Sequence, residues 1–533
     1  MPMSSHNLDI FNFLSQAVPE FWHNESNPYT TEALQRVPPP LPYSGPPMHS
    51  AGDPSWTFPR NQHFTQPLTP FGSEHAPSTL VCEADKTYSL DVPATTADDL
   101  IHLYFLRVQA FLPLFHRPQF YEKYVSLRKD EKYINLTKES AFLLYAMMAL
   151  SARYSTSSSF VGVHIKDRGE IFVRKIGVLY NDLTACLDTT PPSLVLLQAC
   201  ILMAYYYRSC HTTTHSDPWP VKPCVQLAYK LGLHRLDTET IDHLCGDPNL
   251  PSPLQWVSME EKRRVWWSIW ELDAFDYVLH RRAREIDHTE VYVNLPVSDE
   301  AWFAGNPTPS ALFNFNLSQC WKVLKRSENQ DERAWFLICN YILVCAFDLD
   351  RQKFVTESNV EQLDTVVACF SLLVYEKLRT NLDSLVFDKN HYVKSNWKIV
   401  TQLMIQSTRI IVGLLHRRAT SESMNAHSNF FENGTIKADW EDHVITDASI
   451  QTFQRPADEV LRICRAWPPE YIAFAPPMFI YNILGPEMMN FQVSRLLRQD
   501  PLEPSIQEEL LILVLTHFAR FWNIGGLITS MLA

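Results

Sequence analysis

From Thr96 almost to the carboxy terminus, apolar side chains recur every three or four positions, and no convincing run alternates with the period of two that a half-buried strand needs. That pattern restricts the chain to an all-α fold. Thr96 reads as the cap of a first helix, with Asp98 and Asp99 in its opening turn, where the helix dipole favours carboxylates. Leu100, Leu103, Tyr104, Val108, Phe111 and Leu112 form its apolar stripe. Pro113 and Pro118 interrupt the chain, and Pro118 suits the first turn of the next helix. Further helices are predicted at about 138–153, 167–187, 192–208 and 219–231, the last closed by Gly232 as a glycine cap. Ser258-Met259-Glu260-Glu261 has the form of a capping box and predicts a helix running to about Arg282. Helical spacing continues at about 310–327, 331–355, 359–381, 392–418, 457–466, 478–499 and 506–531.

The front of the chain obeys no such period. Of its 36 prolines, 15 fall within the first hundred residues, and six stand between Val37 and Pro47. A segment of this composition buries too little apolar surface to offset its ordering entropy, so residues 1–95 are predicted to be disordered. Within them Phe11, Leu14, Val18, Phe21 and Trp22 recur at helical spacing among Asp9, Glu20 and Glu25, although Pro19 would kink any helix there. An acidic, aromatic segment of this kind suits a groove on a partner or on its own domain. The expected organisation is therefore 1–95 disordered, 96–300 as the core of a helical domain, and 301–533 as the carboxy-terminal helical part of the same domain.

Composition narrows the function. Only 14 glycines occur in 533 residues, and close-approach nucleotide loops consume glycine. No GxxxxGK[ST], GxGxxG, GxSxG or HExxH occurs. The net charge of −13 argues against phosphate binding across the whole surface. The eleven cysteines are scattered, none in a CxxC pair, as expected of buried free thiols in a reducing compartment. The polar run after Met1 does not resemble a signal peptide, and no stretch reaches the roughly 18 unbroken apolar residues of a membrane helix. These features predict a soluble intracellular protein with no membrane contact.

Three constellations admit a chemical reading. Glu271, Asp273 and Asp276 stand on one helix beside Trp266, Trp267, Trp270 and Tyr277, as helix-borne carboxylates do in all-α terpene-cyclase-like enzymes. However, Leu272 stands where an adjacent-aspartate motif needs a second carboxylate, and a buried Asp273 paired with an arginine is the structural alternative. Cys210, His211, His215 and Cys224 could supply four zinc ligands but lack a tight knuckle, and their loop is rich in Thr and Pro. Lys262-Arg263-Arg264 and Arg281-Arg282-Ala283-Arg284 could contact phosphates or serve nuclear import, or could engage helix ends and carboxylates.

Four segments in order resemble the fungal-specific transcription factor domain, the regulatory middle region of binuclear-zinc-cluster proteins. LIHLYFLRVQAFLPLFHRPQF, from Leu100 to Phe120, resembles its opening helix and Pro-x-x-His-x-Pro-x-Phe turn, carried here by Pro113, His116 and Pro118. AYKLGLHR resembles its Gly-Leu-His turn, at Gly232 and His234. EEKRRVWWSIWELD is similar to its most characteristic helix, marked by Arg263, Arg264, Trp266, Trp267 and Asp273. IDHTEVYVNLP resembles the acidic loop that ends on Leu295 and Pro296. His280-Arg281-Arg282 replaces the family's usual Gly-Arg-Pro, and with only Cys82 ahead of Cys186 the six-cysteine zinc module cannot be built.

The resemblance implies regulation of transcription in a fungal nucleus and no catalysis. No cofactor is expected in this chain, zinc entering only with an upstream zinc-cluster module. The implied partners are a DNA-binding transcription factor or the transcription machinery, with a small-molecule effector or a second copy of the chain also open. Specific DNA binding by this chain alone is not expected. The alternatives are the terpene-cyclase-like enzyme and an interaction protein outside the nucleus.

Overall fold

A computed structural model describes residues 87–128, 131–184, 192–210, 219, 221–238, 252–280, 282–380, 384–428, 447–479 and 506–523. Of the region predicted to be disordered, residues 1–86 with their acidic aromatic segment lie outside the described residues, as does the predicted helix at 478–499 apart from a short turn at Pro477–Phe479. Residues 87–95 are ordered, against that expectation: Tyr88 bridges to Leu136, Leu90 and Val92 are buried, and the first helix begins at Ala94. Among the described residues the regular secondary structure is helical, with one isolated antiparallel bridge between Tyr88 and Leu136. The fold is all-α.

The chain divides into two compact units. The described residues up to Asp273, Glu285–Thr308 and the stretch from Leu515 form one; Ala274–Arg284 and Pro309–Val514 form the other. In the first, α1 (Ala94–Leu103) continues into a π-helical turn at Tyr104–Val108 and is followed by α2 (Arg117–Phe120). Its centre is α3 (Lys138–Ser151), capped by Thr137, whose hydroxyl accepts the N–H of Ser140 at 3.2 Å. Every residue from Ser140 to Ser151 is buried; a helix that is apolar all round belongs inside its domain. Around it pack α1, α4 (Glu170–Thr184) and α5 (Leu194–Cys210), and α6 (Val221–Lys230) packs on α5. Arg153 fixes the carboxy-terminal stretch to this unit: its guanidinium donates to the Phe521 carbonyl at 2.9 Å and lies 4.0 Å over the Trp522 ring.

In chain order α6 is followed by α7 (Pro253–His280) and α8 (Asp299–Phe303). After α9 (Leu317–Cys320), the second unit is a stack of long helices: α10 (Glu332–Asp350), α11 (Glu357–Leu378), α12 (Tyr392–Ser428) and α13 (Asp447–Ala466), with the short α14 (Pro469–Ile472). α10, α11 and α13 all pack on α12. The stretch Tyr392–Thr420 is long and apolar enough to cross a bilayer, but 78% of that window is buried inside the protein, so it is the core helix of its unit. α15 (Ile506–Ala519) closes the described chain.

Several boundaries differ from the sequence reading, each for a local reason. α1 starts at Ala94, placing Thr96 inside the helix. The region 310–327 holds only the single turn of α9, because Asn314 and Asn316 turn their side chains onto the backbone N–H groups of Asn316 and Ser318, both at 3.0 Å, and so compete with the helix. α13 begins ten residues ahead of the start predicted at 457 and runs through Pro456.

The largest correction concerns α7. Ser258 is an exposed residue inside the helix, not its cap. The capping box exists one and a half turns earlier: the Ser252 hydroxyl accepts the Gln255 N–H at 3.3 Å, and the Gln255 side chain accepts the Ser252 N–H at 3.0 Å. Pro253 then occupies the first helical position, where a missing N–H costs nothing. Ser252→Ala is therefore expected to cost about 1 kcal/mol, and Ser258→Ala less than about 0.5 kcal/mol, in urea unfolding of the chain.

Candidate functional site

Five residues on one face of α7, at spacings of four, three, three and three, organise this part of the molecule: Glu260, Arg264, Trp267, Trp270 and Asp273. The loop after α7 runs back along that face, and each of the five holds a piece of it. The Asp273 carboxylate accepts the N–H groups of Glu285 and Ile286 at 3.0 and 3.2 Å. The indole N–H of Trp270 donates to the His288 Nε2 at 3.1 Å, and that of Trp267 to the Asn294 carbonyl at 2.8 Å. Glu260 accepts the Val297 N–H at 2.9 Å, while Arg264 donates to the Val297 carbonyl at 2.5 Å. The acidic loop is thus bound antiparallel to the helix, through its own backbone except at the His288 ring.

The basic pair sits at the far end of this interlock. Arg263 forks onto both oxygens of Asp237 at 3.0 and 2.5 Å and reaches Glu260 at 3.4 Å. Arg264 donates to Glu260 at 3.1 Å and to Asp299. Glu260, Asp237 and Arg264 are each at most 2% exposed. Burial works against the Arg263 charge, but Asp237 and Glu260 outweigh it and raise its pKa above the ordinary arginine value. Asp237 also accepts the Asn294 N–H at 2.8 Å. The carboxylates met by Arg263 and Arg264 are therefore Asp237, Glu260 and Asp299, where the sequence suggested Asp273.

The other two motifs close on the same centre. Gly232 ends α6 with φ +70° and no atom within 4 Å of where a Cβ would stand, so it serves the left-handed backbone and not close packing. Two residues on, the His234 ring lies 4.6 Å from Tyr229 and 6.3 Å from the fully buried Trp266, and its carbonyl accepts the Tyr292 N–H at 2.7 Å. Pro113 is buried, whereas Pro118 is exposed in the first turn of α2. His116 donates from Nε2 to the Trp302 carbonyl at 3.0 Å, and the Arg264 guanidinium lies 4.1 Å over the Trp302 ring. Leu295 and Pro296 are buried where the loop turns into α8.

Sequence reading missed Asp237, Asp299 and Trp302. Asp237 lies three residues beyond His234, and the only available signal was that two adjacent buried arginines demand carboxylates. Of the enzymatic candidates, Asp273 has a structural occupation as the acceptor of two backbone N–H groups. Glu271 and Asp276 are buried. Of the zinc candidates, Cys224 is buried in α6, Cys210 ends α5, and His211 and His215 lie outside the described residues. In the basic cluster after α7, Arg284 pairs with Asp348 at 3.3 Å, and Arg281 lies outside the described residues.

His116 gives this centre a pH dependence. The ring caps α2, accepting the Gln119 N–H on Nδ1 at 3.4 Å while donating from Nε2, a pairing that only the neutral ring provides. Burial lowers its pKa below the ordinary value of 6.5; the Trp302 bond opposes this, and Arg264 adds to it. The unfolded chain then binds the proton more readily, so this contribution is complete above the ordinary value and is lost as pH falls below it. The loss of unfolding free energy between about pH 7.5 and 5.5 should be smaller in His116→Gln than in the unmodified chain. An equal loss would show that His116 does not titrate in this way.

Residues 101–340 match the sequence profile of the fungal specific transcription factor domain, and the interlocked α7 and loop lie inside that span. Among curated proteins, the chain is similar to the pigment biosynthesis transcriptional activator pigB of Monascus ruber, 27% identical over 248 residues, 44% of this chain and 39% of pigB. It is similar also to the tropolone cluster transcription factor tropK of Talaromyces stipitatus, 26% identical over 204 residues, 38% of this chain and 32% of tropK. The transcription factor tazR of Aspergillus terreus is 22% identical over 230 residues, 43% of this chain and 33% of tazR. The similarity thus spans between about a third and two fifths of these relatives' lengths.

Proposed function

We propose that this chain is a regulator of transcription that works in a fungal nucleus and controls the genes of a biosynthetic pathway. The observation that carries the reading is the match over residues 101–340, within which all four motifs meet in one ion-paired centre. Two of the similar proteins are named for pigment biosynthesis and a tropolone cluster, which supports the choice of target genes. A non-catalytic role is supported by the centre's chemistry: the carboxylates Asp237, Glu260 and Asp273 are taken up by guanidinium and backbone N–H groups, so none of the three is poised as a base or nucleophile.

DNA is reached through a DNA-binding partner, or through a zinc module carried by a longer form of the protein. The charge of −13 and the engagement of Arg263, Arg264 and Arg284 with carboxylates support this division of labour. Purified chain mixed with a pool of random duplexes at moderate salt is expected to enrich no sequence. Recovery of one motif, abolished when Arg281, Arg282 and Arg284 are changed to alanine, would overturn the partner requirement.

A further inference from the structure

Helix α11 turns an unusual face outward. Its inner side buries Val360, Leu363, Phe370 and Val374. At 3.6 residues per turn, Glu357, Glu361, Ala368, Leu372 and Tyr375 share the opposite side, and all are exposed. Leu372 is 73% and Tyr375 60% exposed, a poor arrangement for a helix whose outer side meets only water. Arg379, the left-handed cap with φ 47°, extends the stripe past the helix end. The chemistry along the stripe is directional, with carboxylates first, a small residue in the middle, two apolar knobs next and a cation last. Beside the amino-terminal half lies a groove of about 460 Å³, whose lining includes Trp321, Lys322, Gln362, Thr365 and Cys369.

We infer that this face is a self-association surface on which a second copy of the chain packs with its α11 antiparallel, about a twofold axis at Ala368. Such an axis pairs residues equidistant from Ala368. Glu357 then meets Arg379 of the second copy, and Glu361 meets its Tyr375 hydroxyl. Leu372 falls over the turn at Asp364 and Thr365, beside the groove. Each copy supplies both the knob and the hollow, and both the acid and the base, which is the self-complementarity a twofold interface requires. Ala368 on the axis lets the backbones approach. Cys369, a partly exposed free thiol that lines the groove, stands one residue from the axis and about 100° round the helix from Ala368, so the two thiols lie on the same side of the helix pair. A contact built on one helix pair is at the small end of stable interfaces, so the dimer forms in the micromolar range.

Light scattering of the full chain over a concentration series tests this. The average mass is expected to rise from 61.7 kDa toward twice that value. Leu372→Asp and Arg379→Glu should each weaken association about tenfold or more, and adding Glu357→Arg to Arg379→Glu should restore it. Both Leu372 and Arg379 are exposed, so the fold does not depend on them. A short bis-maleimide should link two copies through Cys369, and Cys369→Ser should abolish the product. A chain that stays monomeric throughout, or a dimer indifferent to Leu372→Asp and to the charge reversal, would overturn the inference.

Discussion

Replacing Arg264 by methionine lowers the unfolding free energy by about 3–5 kcal/mol, because it removes the nearer of the two guanidiniums that hold a buried carboxylate. Glu260 is fully buried and would lose the guanidinium that holds it at 3.1 Å, while the Val297 carbonyl and Asp299 lose theirs. Arg264→Lys should recover little, since one ammonium cannot reproduce a fork that serves Glu260, Asp299 and Val297 at once. Adding Glu260→Gln to Arg264→Met should recover part of the loss by removing a buried charge left with Arg263 alone, at 3.4 Å. Urea unfolding followed by tryptophan fluorescence measures this. A loss under about 1 kcal/mol, the value of an exposed pair, would mean that the centre is wetter than its burial indicates.

Trp266→Ala should cost a similar amount, about 3–5 kcal/mol, by a different route. The ring is fully buried, edge-on to Tyr229 at 5.9 Å and 6.3 Å from His234, so its removal leaves a cavity under the Gly232 turn. Trp266→Phe keeps most of the apolar area and should lose less than half as much. Equal losses in the two variants would show that the site cannot close around a smaller ring, since the buried indole N–H makes no hydrogen bond among the described residues.

How much of this was legible in the sequence depends on the range of each interaction. Helices of strong period were placed within a few residues, because amphipathic spacing is a local property; Val221–Lys230 and Glu357–Leu378 are examples. The start of α7 was misplaced because Ser252-Pro253-Leu254-Gln255 and Ser258-Met259-Glu260-Glu261 both spell a capping box. Only tertiary packing decides that Glu261 accepts from the Gln198 side chain at 2.9 Å and does not turn back to Ser258. The motif residues themselves were visible one segment at a time. Their meeting was not, since pairs such as Arg263 with Asp237, or His116 with Trp302 at a separation of 186 residues, leave no local period. Two adjacent arginines in an apolar helix signalled the need for carboxylates without saying which.

The central claim is that the chain regulates transcription without reading DNA itself. It is tested most directly by fusing the whole chain to an unrelated DNA-binding domain and measuring a reporter that carries that domain's site, in fungal cells. The account predicts that reporter transcript changes several-fold relative to the DNA-binding domain alone, and that Arg264→Met, which dismantles the centre, abolishes the change. A fusion that occupies its site in the nucleus and leaves transcription where the DNA-binding domain alone leaves it would contradict the claim.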